Sequence, residues 1–323
     1  MRSLTRGSAM SDVARTDQAH FFAQLDVALD AVDSVDESAP PASLWHDAWQ
    51  TLRTRPIFWV SAVLILLVVV VAAFPRLFTS VNPAFCELKH SLGPATGGHP
   101  FGYDFQGCDV YSRVIYGARA SVTVGVLTTI AVVVLGGIVG ALAGFYGKWF
   151  DALLSRVTDI FFAIPLVLAA IVVMQVFSTK RTVVTVVLVL SVFGWPQIAR
   201  ITRGAVMSVK NADFITAATA LGASRLRNLV QHVLPNAAAP IIVTATVSLG
   251  TFIVAEATLS FLGIGLPGTV MSWGADISHA QSSIRTQPSV LFYPAGALAL
   301  TVLSFIMMGD AVRDALDPKA RTR

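Results

Sequence analysis

Long uncharged stretches of apolar residues alternate with polar connections between residues 57 and 309. Each stretch is about as long as a helix needs to cross ~30 Å of hydrocarbon. A bilayer interior offers no water to unpaired amides, so such segments must be helical. The stretches cover residues 57–74, 120–147, 160–179, 182–199, 233–255 and 286–309. The pattern therefore predicts an all-α integral membrane protein with six transmembrane helices.

Composition agrees with this interpretation and excludes two other classes. The chain has 323 residues, of which 54% are hydrophobic and only 13% are charged. A water-soluble protein of this size carries about twice that charged fraction, because it needs a polar surface. A soluble enzyme and a nucleic-acid-binding protein are therefore set aside, and the bilayer is the expected environment.

Basic residues lie between the hydrophobic stretches, where cytoplasmic loops are usually richer in Lys and Arg. With the N-terminus inside, the cytoplasmic side carries the larger set: Arg53, Arg55, Lys148, Arg156, Arg200, Arg203, Lys210, Arg225, Arg227, Arg313, Lys319, Arg321 and Arg323. The outer side carries Arg76, Lys89, Arg113, Arg119, Lys180, Arg181 and Arg285. The bias predicts cytoplasmic termini, although Lys180 and Arg181 in a short outer turn count against it.

The polar segments divide the chain into four parts. Residues 1–42 are acidic and form either a mobile cytoplasmic tail or a short amphipathic helix that docks on a partner. Residues 43–56, with Ser43 as the cap, predict an interfacial helix. The membrane domain covers residues 57–309, and its longest connections are an outer loop at 79–119 and a cytoplasmic loop at 200–235. Residues 310–323 form a basic cytoplasmic tail.

The cytoplasmic loop contains the sequence DFITAATALGASRLRNLVQHVLPN, from Asp213 to Asn236. Its first part continues a helix, Gly222 permits a break, and Ser224 can cap a second helix. Small side chains around the glycine allow another protein surface to approach closely. The plainer alternative is a surface helical hairpin without a partner.

This segment resembles the EAA coupling loop of importer-type ATP-binding cassette (ABC) permeases, which inserts two short helices into a groove of the ATPase subunit. The spacing from Ala217 through Gly222 to Pro235 matches that loop, but Thr216 stands where the family usually has glutamate. By resemblance, the ATPase-coupling residues are Asp213, Phe214, Thr216, Ala217, Ala218, Leu221, Gly222, Ala223, Ser224, Arg225 and Arg227.

Three further stretches narrow the resemblance to the C-type membrane subunit of dipeptide and oligopeptide importers. They are HPFGYDFQGCDVYSRVIYGARAS at 99–121, AEATLSFLGIGLP at 255–267 and LTVLSFIMMGDAVRDALDPK at 300–319. In the first, Tyr103 and Cys108 replace the usual threonine and arginine. Together the matches extend over about residues 43–319.

The resemblance implies the fold of a type I ABC importer permease with cytoplasmic coupling helices, located in the cell membrane. It also implies a homologous permease subunit, two ATP-binding cassette ATPase subunits and an extracytoplasmic substrate-binding protein as partners. ATP and magnesium would bind the ATPase subunits, so no cofactor is expected in this chain. Dipeptides and oligopeptides are the expected substrates, while nickel, glutathione, haem and sugar-derived compounds remain open.

Glycines and prolines within the spans predict where helices pack and bend. Gly136, Gly140 and Gly144 recur every fourth residue, which brings helix backbones close together in lipid. The alternative is that glycine is simply tolerated there. Pro165 and Pro196 remove backbone hydrogen bonds and should kink the third and fourth spans. These kinks predict gating hinges on the translocation path, or alternatively irregular packing.

Glu256 is the acidic residue that lies well inside a hydrophobic stretch. An ionised carboxylate costs about 2.5–3.5 kcal/mol at a helix centre, so Glu256 should face a partner or an aqueous cavity. We expect it to line the translocation path. The alternatives are a proton relay in a proton-coupled carrier and a structural bond to a neighbouring helix.

The two cysteines, Cys86 and Cys108, both fall in the predicted outer loop. That compartment is normally oxidising, so a disulfide is one expectation. A transition-metal site formed by Cys86, Glu87, His90 and His99 is the alternative, although the spacing fits no established site. No metal site is therefore assigned.

The sequence also lacks the motifs of an enzyme. Gly147-Lys148 is followed by Trp149 and lacks the glycine spacing of a phosphate-binding loop, so another subunit should bind the nucleotide. The histidines are scattered and form no catalytic pattern. The expected function is a non-catalytic permease subunit. The competing hypotheses are the proton-coupled carrier that uses Glu256 and a scaffolding membrane protein.

Overall fold

The computed structural model describes residues 44–316, whose regular secondary structure is helical apart from isolated β-bridges. The helices are α1 (Leu44–Thr54), α2 (Pro56–Ala73), α3 (Val110–Tyr146), α4 (Lys148–Ala163), α5 (Leu166–Val176), α6 (Val183–Val209), α7 (Asp213–Ala220), α8 (Arg225–Arg227), α9 (Leu234–Asn236), α10 (Ala238–Phe261), α11 (Trp273–Ala280) and α12 (Ser289–Leu316). A π-helix at Asn228–Val233 joins α8 to α9. The predictions for residues 1–42, Ser43 and residues 317–323 lie outside the described residues.

Six spans cross the bilayer if the bent pair of α4 and α5 is taken as one. Five helices of the described chain, namely α2, α3, α6, α10 and α12, are each long and apolar enough to span. Helices α4 and α5 pass the same test only together, and they are bent by 80°. The structure thus has the all-α membrane architecture that the hydrophobic stretches predict.

The third span is broken at Pro165. Ile164 is extended, with φ −89° and ψ 119°, because a residue before proline is disfavoured in the helical region. Helix α5 contains 11 residues and is about 16 Å long, too short to cross the bilayer alone. Residues 148–159, expected as a simple connection, instead belong to the amphipathic helix α4. Pro165 therefore makes a sharper change of direction than a kink.

Pro196 behaves differently from Pro165. Helix α6 runs without interruption from Val183 to Val209, with Pro196 buried inside it. Transmembrane helices tolerate prolines where neighbouring helices and local adjustments accommodate the lost hydrogen bond. Pro196 was expected to kink the fourth span, and in the structure it does not interrupt the helix.

Four spans extend beyond their apolar stretches: α10 continues to Phe261 and α12 to Leu316, so the expected tail does not begin at residue 310, and α3 and α6 extend furthest. Helix α3 begins at Val110 rather than at residue 120, because the Asp109 side chain caps it by accepting a hydrogen bond from Ser112 N at 2.8 Å. The outer loop consequently ends at Asp109. Helix α6 continues to Val209, so the connection between the fourth and fifth spans begins at Lys210 instead of Arg200.

Glycines bring α3 and α6 into close contact. A Cβ atom built on Gly136 would lie 2.6 Å from the Trp195 carbonyl oxygen, and one on Gly140 would lie 2.3 Å from that of Ala199. On Gly144 it would lie 2.8 Å from the Arg203 carbonyl oxygen. Real side chains do not fit at such distances. The glycine repeat thus sets the separation of these two spans, as lipid offers no hydrophobic drive to do so.

The largest buried cluster lies where α3, α5, α6 and α10 meet. Its fully buried members include Val124, Met174, Leu190 and Leu259. A second cluster joins α2, α3 and α12 around Phe305. These clusters fix the spans against one another, while the helix surfaces that face outward remain apolar.

The outer loop is covalently closed. Cys86 and Cys108 form a disulfide with an S–S distance of 2.01 Å. Gly107 has φ +76°, and a Cβ there would lie 1.9 Å from the Glu87 carbonyl oxygen, so this close crossing requires glycine. His99 Nδ1 lies 2.9 Å from Oδ1 of the capping Asp109. The loop therefore holds the N-terminus of α3.

The four residues of the alternative metal site make other contacts in the structure. Cys86 is oxidised to a disulfide, and the Glu87 carboxylate contacts Lys89 at 2.5 Å. His99 faces Asp109 rather than the other three residues. Among residues 44–316, no group of three or more His, Cys, Asp or Glu side chains could hold a metal ion.

The outer link between α10 and α12 contains a helix, α11, that the hydrophobic pattern does not indicate. Ser272 caps α11 by accepting from Ala275 N at 3.3 Å. Trp273 Nε1 donates to the Val114 carbonyl oxygen at 2.9 Å, so α11 is fixed on α3. A Cβ on Gly274 would lie 2.3 Å from the Ala257 carbonyl oxygen, which shows how closely α11 also approaches α10.

Candidate functional sites

Helices α7 and α8 form a compact projection between the fourth and fifth spans, which we call the knob (residues 213–227). The two helices meet at Gly222, whose φ of +89° lies in the left-handed region that favours glycine. Ser224 then caps α8 by accepting from Arg227 N at 3.3 Å. The predicted arrangement of two short helices on either side of a glycine is confirmed.

Hydrogen bonds and a small core keep the knob rigid. Asn228 Nδ2 donates to Thr219 Oγ1 at 2.8 Å, joining the π-helix to α7. Beneath it, Ile215, Leu229 and Val233 are buried together with Val206 near the end of α6. The knob is therefore packed onto the end of α6, and a displacement of one should move the other.

Three large apolar side chains are exposed on the knob. Leu221 is 90% exposed, Leu226 is 62% exposed and Phe214 is 48% exposed. No atom lies within 4 Å of a Cβ built on Gly222, so the turn between the helices is open. Exposed apolar clusters of this kind mark interaction surfaces. The knob thus has the shape and chemistry of a surface that seats in another protein.

The other residues assigned to the knob lie around this surface. Thr216 and Ala217 are exposed on α7, and Asp213 is exposed at its first turn. Ala218 is partly buried, and its carbonyl oxygen accepts from Ala223 N at 3.0 Å. The knob carries two cationic side chains, Arg225 and Arg227, both on α8. Arg227 Nε donates to Gln231 Oε1 at 2.9 Å.

A cleft of about 180 Å³ opens where the third span breaks. It brings Pro165 of the broken span together with Pro196 of α6 and Phe252 of α10. Its other lining residues are Phe161, Phe162, Ile164, Leu166, Phe193, Gly194, Gln197, Ser248 and Thr251. Aromatic walls with a few polar groups are typical of binding clefts.

Glu256 does not line this cleft. Its side chain is 0% exposed and lies in a cluster of serine hydroxyls near the C-terminal end of α10. Ser121 Oγ on α3 donates to Oε2 at 2.8 Å, and Ser260 Oγ donates to Oε1 at 2.7 Å. The side chain of Ser272, the cap of α11, also interacts with the carboxylate. These contacts agree with the alternative that Glu256 makes a structural bond to a neighbouring helix, since its carboxylate joins α3, α10 and the start of α11.

A second buried polar cluster lies between α3 and α11 and was not predicted from the sequence. Arg113 Nε on α3 donates to Asp276 Oδ1 on α11 at 2.8 Å, and Asp104 Oδ2 lies 3.8 Å from the same guanidinium. Burial raises the pKa of Asp276 above its ordinary value, and the charge on Arg113 opposes that shift. The only sequence signal was a set of charges beside the spans, which topology alone explains equally well.

Comparison with known proteins decides the family. Residues 136–322, more than half of the chain, match the family described as binding-protein-dependent transport system inner membrane component. The chain belongs to this family. Residues 43–94 match the N-terminal transmembrane domain of oligopeptide transport permease C. As a member of the family, the chain is a multi-pass membrane permease subunit, a non-catalytic transport component, which confirms the family assigned from its motifs.

Curated relatives cover nearly the whole permease subunit. The oligopeptide transport system permease protein OppC of Bacillus subtilis (strain 168) is 35% identical over 91% of this chain and 96% of its own length. The dipeptide transport system permease protein DppC of Alkalihalophilus pseudofirmus is 35% identical over 87% of this chain and 91% of its own length. The glutathione transport system permease protein GsiD of Escherichia coli O6:K15:H31 is 36% identical over 86% and 91%, respectively.

Solved structures agree on the fold. The inward-facing MetNI methionine ABC transporter, in its CY5 SeMet soak crystal form, aligns with a TM-score of 0.53 at 21% identity. The alignment covers 64% of this permease subunit and 96% of the solved chain. This likeness shows the predicted fold of a type I importer permease.

Proposed function

We propose that this permease subunit imports peptides as part of an ATP-driven complex and that the knob couples it to the ATPase subunits. The observation that carries the proposal is the knob itself: a rigid projection with exposed Leu221 and Leu226, packed on the end of a span. The chain has no phosphate-binding loop, so the energy must come from a partner. A homologous permease subunit, two ATPase subunits and an extracytoplasmic binding protein complete the proposed complex.

The proposed topology places both termini and the knob in the cytoplasm. With six spans, the connection between the fourth and fifth spans lies on the same side as the termini. The loop closed by Cys86 and Cys108 then lies on the outer side, where disulfides persist. The excess of Lys and Arg on the side of the knob supports the same orientation.

Helix α6 is the proposed transmission element. Its last turns pack under the knob through Val206, and its middle contributes Pro196 to the cleft at the broken third span. ATP-driven closure of the ATPase subunits would move the knob, and α6 would carry that movement to the cleft. Pro165 and Pro196 are therefore the proposed pathway residues, whereas Glu256 holds the outer ends of the spans together.

Peptides are the proposed substrate class. Relatives over nearly the full length are permeases of oligopeptide, dipeptide and glutathione systems, and glutathione is itself a short peptide. The cleft supports this choice, because Gln197, Ser248 and Thr251 place hydrogen-bonding groups among aromatic side chains. Nickel and haem need metal ligands or a larger apolar surface, so they are less well matched to this lining.

Co-purification with two matched variants tests the proposal. The tagged chain is solubilised gently from native membranes, and ATPase subunits are identified by mass spectrometry and by ATP hydrolysis. Leu221→Asp places a charge on the outward surface of the knob and should remove the ATPase subunits. Leu88→Asp, at a side chain that is 75% exposed in the outer loop, should retain them. Absence of ATPase subunits from the unsubstituted chain would contradict the proposal.

A further inference from the structure

A cleft of about 410 Å³ lies where α3, the start of α6 and the segment after α10 meet. Its lining residues are Tyr116, Arg119, Ala120 and Thr123 of α3, Val183 of α6, and Thr269, Val270 and Met271. The cleft shares no lining residue with the cleft at Pro165 and lies outside the knob, so neither proposed site accounts for it.

Arg119 places this cleft at one edge of the bilayer. Its Nε donates to the Ala72 carbonyl oxygen at 3.1 Å, and its Nη2 donates to that of Ala73 at 3.0 Å. These carbonyls belong to the last turn of the span α2, and the uncharged stretch of α3 begins directly after Arg119. The guanidinium therefore lies at the level where two spans reach the headgroup region.

Positive charge at the cleft is not neutralised by the described chain. The cleft lining contains no acidic residue, and among residues 44–316 Arg119 pairs with no carboxylate and its Nη1 has no acceptor. Lys180 and Arg181 lie in the turn just before Val183, and Arg181 Nη1 donates to the neutral Gly263 carbonyl oxygen at 2.6 Å. An anionic ligand is therefore favoured.

Three hydroxyl groups of the cleft make no hydrogen bond within the part of the chain that the structure describes. They belong to Tyr116, Thr123 and Thr269. By contrast, Thr129 and Thr258 in the spans each donate to the carbonyl oxygen one turn earlier, at 2.8 Å. The hydroxyl groups of the cleft thus remain available to the oxygens of a ligand.

An apolar stripe continues from the cleft along the same face of α3. Thr123 lines the cleft, and Leu127 and Ile130 follow it at helical spacing with exposed fractions of 43% and 56%. Ile130 lies about 16 Å from Arg119 along the helix, close to half of the ~30 Å hydrocarbon thickness. The stripe is therefore about as long as one leaflet.

We infer that this cleft binds a membrane phospholipid with an anionic headgroup. The phosphate lies at Arg119, whose free N–H donors suit a phosphate, and one acyl chain follows Leu127 and Ile130. Cleft and stripe share Thr123 on one helix face, so one amphipathic molecule contacts both. A soluble anion would contact the arginine alone. The inference rests on membrane insertion and does not depend on the proposed substrate or on the knob.

Photocrosslinking of the full-length chain in bilayer discs tests this inference. Discs of phosphatidylcholine contain a small proportion of phosphatidylglycerol with a diazirine in its acyl chain, and labelled residues are mapped by mass spectrometry. We expect labelling of Leu127 and Ile130 to exceed that of Leu300 on α12, which is 55% exposed. A phosphatidylcholine analogue with the same diazirine should label the stripe less.

Two substitutions of Arg119 separate its charge from its bonds to α2. Arg119→Gln keeps an N–H donor for the α2 carbonyls but removes the charge. It should lower labelling of the stripe by phosphatidylglycerol about fivefold, the effect of one basic residue near a membrane surface, and leave labelling of Leu300 unchanged. Arg119→Lys keeps the charge and should retain most of the labelling.

Arg285→Gln is the matched control, because Arg285 is an exposed arginine between α11 and α12 that does not line the cleft. It should leave the labelling unchanged. Four results would overturn the inference: equal labelling of the stripe by the two lipids, unchanged labelling in Arg119→Gln, an equal loss in Arg285→Gln, or a larger loss with inorganic phosphate than with sodium chloride of equal ionic strength. The comparison of the two lipids needs no variant, so it stands even if a substitution disturbs folding.

Discussion

At the scale of single residues, Glu256 shows that the position of a carboxylate within a span does not by itself determine its role. A carboxylate in a hydrophobic stretch indicates either a pathway group or a structural bond. Its serine neighbours are Ser260, one helical turn away on α10, Ser272 at the start of α11, and Ser121 on α3, which is distant in sequence. Hydroxyl groups carry almost no signal in a hydropathy pattern, so only the folded chain reveals that the carboxylate is enclosed.

Substitution of Glu256 separates these two roles. Glu256→Ala leaves buried hydroxyl groups without their acceptor, which costs about 1–3 kcal/mol for each unsatisfied group. The midpoint of thermal unfolding in detergent should fall by about 2–4 °C per kcal/mol. Glu256→Gln keeps an acceptor oxygen and should lose less. An unchanged midpoint in Glu256→Ala, combined with lost transport, would instead indicate a pathway role.

Gly140 gives a second test at residue scale, with a control three positions away. A Cβ on Gly140 would meet the backbone of α6, whereas one on Gly137 would have no atom within 4 Å. Gly140→Val should therefore destabilise the chain by about 1–3 kcal/mol through overpacking, and Gly137→Val should have little effect. Thermal unfolding of both variants checks this. Equal midpoints would show that the glycines do not set the distance between the spans.

At the scale of elements, uncharged stretches predicted the spans better than their ends. Helix α3 begins in a segment containing Arg113 and Arg119, whose charges are typical of a loop. Arg113 is paired with Asp276, and Arg119 donates to the Ala72 carbonyl oxygen at 3.1 Å, so both charges are accommodated in the folded protein. Helix α11 was missed because it is short and mixes polar with apolar residues. Both differences come from tertiary contacts that a local pattern does not contain.

The outer loop allows a prediction about its disulfide. Removing a native disulfide from a small structural unit typically costs about 2–5 kcal/mol. Reduction of the Cys86–Cys108 bond should therefore loosen residues 78–109 and increase proteolytic cleavage there, as measured by peptide mapping. The Cys86→Ser/Cys108→Ser variant should be cleaved readily with or without reductant. If reductant does not change cleavage of the unsubstituted chain, the disulfide does not stabilise this loop and the prediction is wrong.

At the scale of the whole molecule, the knob, α6 and the broken third span form one connected arrangement. The knob packs on the end of α6, and α6 supplies Pro196 to the cleft. Pro165, at the break between α4 and α5, lines the same cleft. Motifs in the sequence identified the family and both short helices of the knob. They did not identify the 80° bend or the separation of Glu256 from the cleft, because these depend on how the spans pack.

ATP-driven uptake in proteoliposomes tests the central claim most directly. The complete complex, containing this chain, its Leu221→Asp variant or its Leu88→Asp variant, is reconstituted with its binding protein, and uptake of a labelled peptide is followed with and without ATP. We predict ATP-dependent uptake for the unsubstituted complex, loss of that uptake in Leu221→Asp, and normal uptake in Leu88→Asp. Uptake that proceeds without ATP, or that survives Leu221→Asp unchanged, would contradict the account.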